Sequence, residues 1–124
     1  MEITTFIKVA TALPASQSVL IRGPHGIGKS ALVNQIANSS KKSDGTEGLP
    51  LIDRRLAQMT EGDIIGLPEM QDGVTRFCPV DWLLRACREP VVLFLDEINR
   101  ATVEVQQCAF QLVLDRELNG HKLH

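Results

Sequence analysis

The sequence predicts an α/β protein, a three-layer αβα arrangement around a mainly parallel sheet. Three observations predict it. Apolar residues recur at helical spacing in several separate segments. Two short apolar runs, Ser18–Ile21 and Val91–Leu95, stand between those segments. The second run is unbroken, and a strand without alternation is one covered on both faces, as in a parallel sheet flanked by helices.

Taken in order, Phe6, Val9, Ala10 and Leu13 mark an amphipathic helix over residues 2–12, ended by Pro14. Ser18-Val19-Leu20-Ile21 reads as a buried strand stopped by Gly23-Pro24. Leu32, Val33, Ile36 and Ala37 give one face of a helix from Lys29 to Asn38. Ser39–Gly48 holds no apolar residue and is expected to be a solvated loop, the most mobile stretch and the best place for an insertion. Leu51–Leu56 is a strand candidate, and Gln58–Pro79, rich in Gly, Pro and acids, reads as loops around short elements. Trp82, Leu83, Ala86 and Cys87 form the buried face of the next helix, bounded by Pro90. Val105, Cys108, Ala109 and Leu112 mark a helix over Thr102–Asp115, and Asn119-Gly120 signals a turn.

Composition narrows the function. With 124 residues, 44% hydrophobic and 23% charged, the chain is expected to be one soluble globular domain rather than a disordered segment. Thirteen basic residues against fifteen acidic ones give a net charge of -2, so nucleic acid is not a default partner. No apolar stretch approaches the roughly 20 residues that span a bilayer. The N-terminus, Met1–Thr5, lacks the basic and apolar regions of a signal peptide, and a cytoplasmic location is the expectation. Cys78, Cys87 and Cys108 have the spacing of neither a disulfide framework nor a zinc pair, and are expected to be buried thiols serving as small apolar side chains. His121 and His124 have no companion ligands for a metal site.

Gly23-Pro24-His25-Gly26-Ile27-Gly28-Lys29-Ser30 satisfies G-x-x-x-x-G-K-[ST] at every fixed position. Usual residue frequencies allow a chance match on the order of 10⁻⁵ per position, so the signal is specific. The order of residues suits the chemistry. Glycines let the backbone curl until successive N–H groups face phosphate oxygens, and the following helix points its positive dipole end at the same anion. Lys29 is the residue for the β- and γ-phosphates, and the Ser30 hydroxyl a ligand for Mg²⁺. His25 reads as a solvent-facing loop side chain.

Asp96 follows Val91–Leu95 at the carboxyl end of a strand, where open α/β sheets bind ligands. Its carboxylate can hold Mg²⁺, usually through water, and Glu97 beside it can orient or deprotonate the water that attacks the γ-phosphate. An apolar run ending in Asp-Glu is weak alone and strong when a phosphate loop precedes it. Together the two motifs predict a P-loop protein that binds a nucleoside triphosphate with Mg²⁺, with Glu97 as the catalytic base.

Lys29 and Asp96 are 67 positions apart (96 minus 29). That pairing, with GPHGIGKS and VVLFLDEINRA, resembles the AAA+ ATPases, and within them the MoxR-like group. Gln58–Pro68 and the stretch QQCAFQLVLDREL extend the similarity over nearly the whole chain. By this resemblance residues 1–124 are the N-terminal part of an AAA+ nucleotide-binding domain. Lys29 and Ser30 match the Walker A lysine and hydroxyl, and Asp96 and Glu97 the Walker B pair. Asn99 and Arg100 match the family pattern without a firm role. The resemblance implies a ring-forming ATPase, commonly a hexamer, that remodels or activates a protein client, often beside a von Willebrand A-type partner. It also implies that His124 precedes the sensor strand, the arginine finger and the helical lid. The missing strand would leave Ser18–Ile21 and Val91–Leu95 flanking a gap, so that these residues alone are expected to make a poor, unstable ATPase.

Two other readings stay open: a nucleotide-binding module without turnover of its own, and a small-molecule P-loop kinase. No substrate-binding basic cluster supports the kinase, and no N-K-x-D sequence supports guanine selectivity.

Overall fold

Residues 3–14, 17–22, 28–40, 45 and 47–124 are described by a computed structural model of the chain. It divides into two units, Met1–Leu51 and Ile52–His124.

In the first unit, helix α1 (Ile3–Ala12) follows the expected spacing, with Phe6 and Ala10 half-buried. Its last turn closes with Leu13 N–H donating to Val9 C=O (3.1 Å), immediately before Pro14. Helix α2 (Lys29–Ser39) buries Val33 and Ala37, half-buries Leu32 and Ile36, and packs against α1. At its C-terminus the Ser40 N–H and hydroxyl both donate to Ile36 C=O, at 2.9 and 2.7 Å. The chain then returns along this end, with Gly48 N–H on Ser40 C=O (2.7 Å) and Leu49 N–H on Ala37 C=O (2.8 Å). Within the loop expected over Ser39–Gly48, residues 41–44 and 46 lie outside the described residues.

One expectation fails here. Ser18–Ile21 is not a buried strand: among the described residues it joins no sheet, and Val19 and Leu20 are 47% and 65% exposed. An apolar run is only a candidate strand. The ladder that makes it one comes from a neighbouring backbone, and no described strand supplies it.

In the second unit, β1 (Leu51–Arg55) pairs in parallel with β4 (Val92–Asp96), a crossover connection through the intervening segments. Between them a short 3₁₀ turn (Leu56–Gln58) leads to α3 (Gly62–Ile65), a hairpin of β2 (Leu67–Gln71) and β3 (Val74–Cys78), and α4 (Asp81–Arg88). A second 3₁₀ turn (Ile98–Arg100) leads to α5 (Val103–Asp115), then a small hairpin of β5 (Glu117–Leu118) and β6 (His121–Lys122). Thr102 caps α5 by accepting the Val105 N–H on its hydroxyl (3.4 Å).

One apolar cluster holds this unit together. Leu56, Ile64, Leu83, Val105, Ala109 and Leu112 are almost wholly buried, with Ile52, Trp82, Ala86 and Leu118 joining them. No polar or charged side chain is buried among the described residues, so the core bears no cost of desolvating unpaired groups. Val92–Asp96 is half-buried throughout rather than covered on both faces. Trp82 is tied at its edge, its indole N–H donating to Asp63 C=O (3.3 Å) and its ring lying 5.7 Å from the Arg54 guanidinium. The Asp63 carboxylate in turn accepts from Thr60 N–H (2.7 Å) and the Thr60 hydroxyl (3.1 Å).

The hairpin lies within Gln58–Pro79, where loops around short elements are expected. Asp72 and Gly73, both at positive φ (52° and 77°), make the two-residue turn, and Leu67 pairs with Cys78 at the open end. Gly66, at φ +84°, crosses the base so closely that a Cβ there would stand 1.7 Å from Cys78 C=O. Both strands are exposed along their whole length. Cys78 is therefore not a buried thiol, and Cys87 and Cys108 are only half-buried, packed against the core as small apolar side chains.

Candidate phosphate-binding and acidic sites

Of the predicted phosphate loop, Gly23, Pro24, His25, Gly26 and Ile27 lie outside the described residues, and Gly28, Lys29 and Ser30 lie within them. Gly28 is the N-cap of α2, at φ 79° and ψ 31°. That left-handed conformation is one a side chain adopts only with strain, which explains glycine there. Among the described residues nothing comes within 4 Å of where a Cβ on Gly28 would sit, so the left-handed backbone is the reason for glycine that these residues show. The first helical bond runs from Leu32 N–H to Gly28 C=O (3.0 Å), which places Lys29, Ser30 and Ala31 ahead of it in the first turn. Their N–H groups belong to the positive end of the helix dipole, the part of any helix that receives an anion. No acidic residue occupies this first turn to compete for that position.

In the second unit, Asp96 ends β4 and Glu97 begins the turn that follows. Both are half-buried. One carboxylate oxygen of Asp96, Oδ1, accepts the Glu97 N–H at 2.9 Å. Glu97 itself is left-handed, φ 57° and ψ 37°, and its carbonyl accepts the Arg100 N–H at 3.0 Å. The strand thus turns sharply at residue 97, and Ile98 is carried back against the apolar cluster. Asn99 and Arg100 are exposed. The bond from Asp96 to the next backbone N–H was beyond sequence reasoning, which placed both carboxylates but assigned Asp96 only to metal.

The Ser30 hydroxyl and the Asp96 carboxylate are each, by type, an oxygen donor that Mg²⁺ accepts. This ion takes hard oxygen ligands, usually one or two carboxylates with phosphate oxygens and water rather than a full protein cage. Among the described residues no three His, Cys, Asp or Glu side chains gather as a cage would require; Ser30 belongs to the first unit and Asp96 to the second.

The family of AAA domains of the dynein-related subfamily matches residues 18–123. The chain belongs to that family. The match runs through both motifs, and with it the α/β P-loop fold class holds. AAA domains in general bind and hydrolyse ATP with Mg²⁺ and assemble into oligomeric rings. No curated protein and no solved structure matches the chain. Among the described residues of this AAA domain, no helix is long and apolar enough to cross a membrane.

Proposed function

We propose that this AAA domain is the nucleotide-binding part of a MoxR-like ATPase that works as a ring, a hexamer, to remodel or activate a protein client. A von Willebrand A-type protein is the partner that such a client system would bring. The observation that carries the catalytic part is the sequence Gly28-Lys29-Ser30 at the start of α2, with glycine in the left-handed cap and the cation and hydroxyl in the first turn.

In this reading Gly23–Ser30 wraps the phosphates. Lys29 sets its ammonium against the β- and γ-phosphate oxygens, a charge-assisted contact. The Ser30 hydroxyl and the Asp96 carboxylate would hold Mg²⁺, which would supply neutralisation of charge on the β- and γ-phosphates. Glu97 orients the attacking water and accepts its proton. The support for one reaction that draws on both units is the motif pair within a single family match.

Glu97→Gln keeps the side chain's size and removes its basicity. In the complete protein Mg-ATP should still bind, while steady-state hydrolysis falls by roughly 10²–10⁴. Calorimetric titration and phosphate release on the same preparations measure the two separately. Undiminished turnover in Glu97→Gln would overturn the role of this residue. Tight binding with no turnover in the complete protein would leave a nucleotide-binding module instead.

A further inference from the structure

Four non-glycine residues have positive φ among the described residues: Asp72, Glu97, Arg116 and Asn119. Three have an ordinary explanation. Asp72 and Asn119 are the first central residues of tight hairpin turns, each followed by glycine, and both types tolerate this region. Arg116 is the C-cap of α5, where a left-handed residue commonly ends a helix. Glu97 has none of these settings. It lies between the end of β4 and a 3₁₀ turn, and a glutamate has no short polar side chain to compensate locally. The contact that accompanies the strain is the hydrogen bond from Glu97 N–H to Asp96 Oδ1, at 2.9 Å.

We propose that Asp96 is a positioning residue for Glu97 as well as a candidate metal ligand: through Oδ1 it clamps the backbone of residue 97 in a left-handed elbow that aims the Glu97 carboxylate. The purpose of the aim rests on the function proposed above, whereas the clamp and the strain are properties of the fold. A general base works only within hydrogen-bond reach of the proton it takes, so fixing its direction matters more than local stability. Strain kept at such a position is a known way of preorganising a site. It has a further consequence for Asp96. One oxygen is committed to the backbone, so the carboxylate would meet a cation mainly through the other, and a single substitution at 96 disturbs two functions at once.

The test is thermal unfolding of the full chain without nucleotide or metal, on Glu97→Gly, Glu97→Ala, Asp96→Ala, Asp96→Asn and the double variant Asp96→Ala/Glu97→Gly. Glycine normally destabilises relative to alanine. Here Glu97→Gly should melt above both the parent and Glu97→Ala, by roughly 3–6 °C, because it alone removes the strain. A Glu97→Gly midpoint at or below that of Glu97→Ala would overturn the elbow. Asp96→Asn keeps an oxygen to accept the Glu97 N–H and should melt close to the parent, whereas Asp96→Ala should melt lower. If the clamp serves the strained backbone, Glu97→Gly should rescue part of the Asp96→Ala loss. Should Asp96→Ala fail to fold, folding of the double variant is the rescue. Additive effects, or a double variant as unfolded as the single one, would overturn the clamp. Because no nucleotide enters this experiment, its outcome is independent of the hydrolysis test on Glu97→Gln.

Discussion

Replacing Gly66 with alanine should be among the most damaging single-methyl changes this chain can suffer. Gly66 sits at φ 84° and ψ -174°, a region open almost solely to glycine, and holding a side chain there costs about 1–3 kcal/mol. Its surroundings add a second penalty. The added Cβ would lie 1.7 Å from Cys78 C=O and 2.7 Å from the carbonyl carbon, both backbone atoms that no rotamer change can move. Relief requires shifting the base of the hairpin, and overpacking of that kind costs about 1–3 kcal/mol. The sum, about 2–6 kcal/mol, is a large part of the roughly 5–15 kcal/mol that stabilises an ordinary domain. Gly73 is the internal comparison. It has a similar φ of 77° but, among the described residues, nothing within 4 Å of its Cβ direction, so Gly73→Ala should show the backbone strain alone. Urea denaturation of the parent and both variants measures the difference. A Gly66→Ala loss no larger than that of Gly73→Ala would show that the close approach to Cys78 is not a constraint.

Two further outcomes follow from the sites. Lys29→Ala should weaken Mg-ATP binding by roughly 1.5–3 kcal/mol, the range for a hydrogen bond to a charged group; equal affinities by calorimetric titration would remove Lys29 from the phosphate contact. Cys78 is exposed but should alkylate slowly near neutral pH, because its Sγ–H donates to the Glu69 carboxylate (2.6 Å), which raises the thiol's pKa, with lesser contributions from desolvation and the carboxylate's charge. The thiolate is thereby disfavoured, so labelling by iodoacetamide should accelerate as pH rises, and Glu69→Gln should speed it at fixed pH; an unchanged rate in that variant would show that the carboxylate does not control the thiol.

How far the fold could be read from sequence depended on what each element packs against. The helices were legible because burial imposes a period: Val33 and Ala37 in α2, Trp82, Leu83 and Ala86 in α4, and Val105, Ala109 and Leu112 in α5 all fall on the faces the spacing marks. Where burial imposes nothing, the period disappears. The strands β2 and β3 are exposed along their length, so no alternation betrays them, and the one available signal was Asp72-Gly73 as a two-residue turn. Ser18–Ile21 erred the other way, since apolar composition announces a wish for burial but cannot supply a pairing partner. The chemistry-bearing types were legible at Lys29, Ser30, Asp96 and Glu97 because the motifs demand them in order. The left-handed backbone at Glu97 was not, because glutamate carries no preference for that region and nothing in the Asp-Glu pair announces the hydrogen bond from Glu97 N–H to the Asp96 carboxylate.

The single tryptophan gives the molecule an optical property. The chain has one Trp and no Tyr, and Trp82 is buried in the second unit, its ring facing Arg54 and its indole N–H held by Asp63 C=O. Emission excited at the red edge of protein absorbance therefore originates from one place, where Trp82 of α4 meets Arg54 near the end of β1 and Asp63 of α3. It reports the second unit alone, with no contribution from the first, which bears the phosphate loop. Circular dichroism, by contrast, sums the helices of both units. Should the two signals disappear at different denaturant concentrations, the units would be shown to unfold separately. Coincident loss would show that the lysine of one unit and the carboxylates of the other belong to a single cooperative structure.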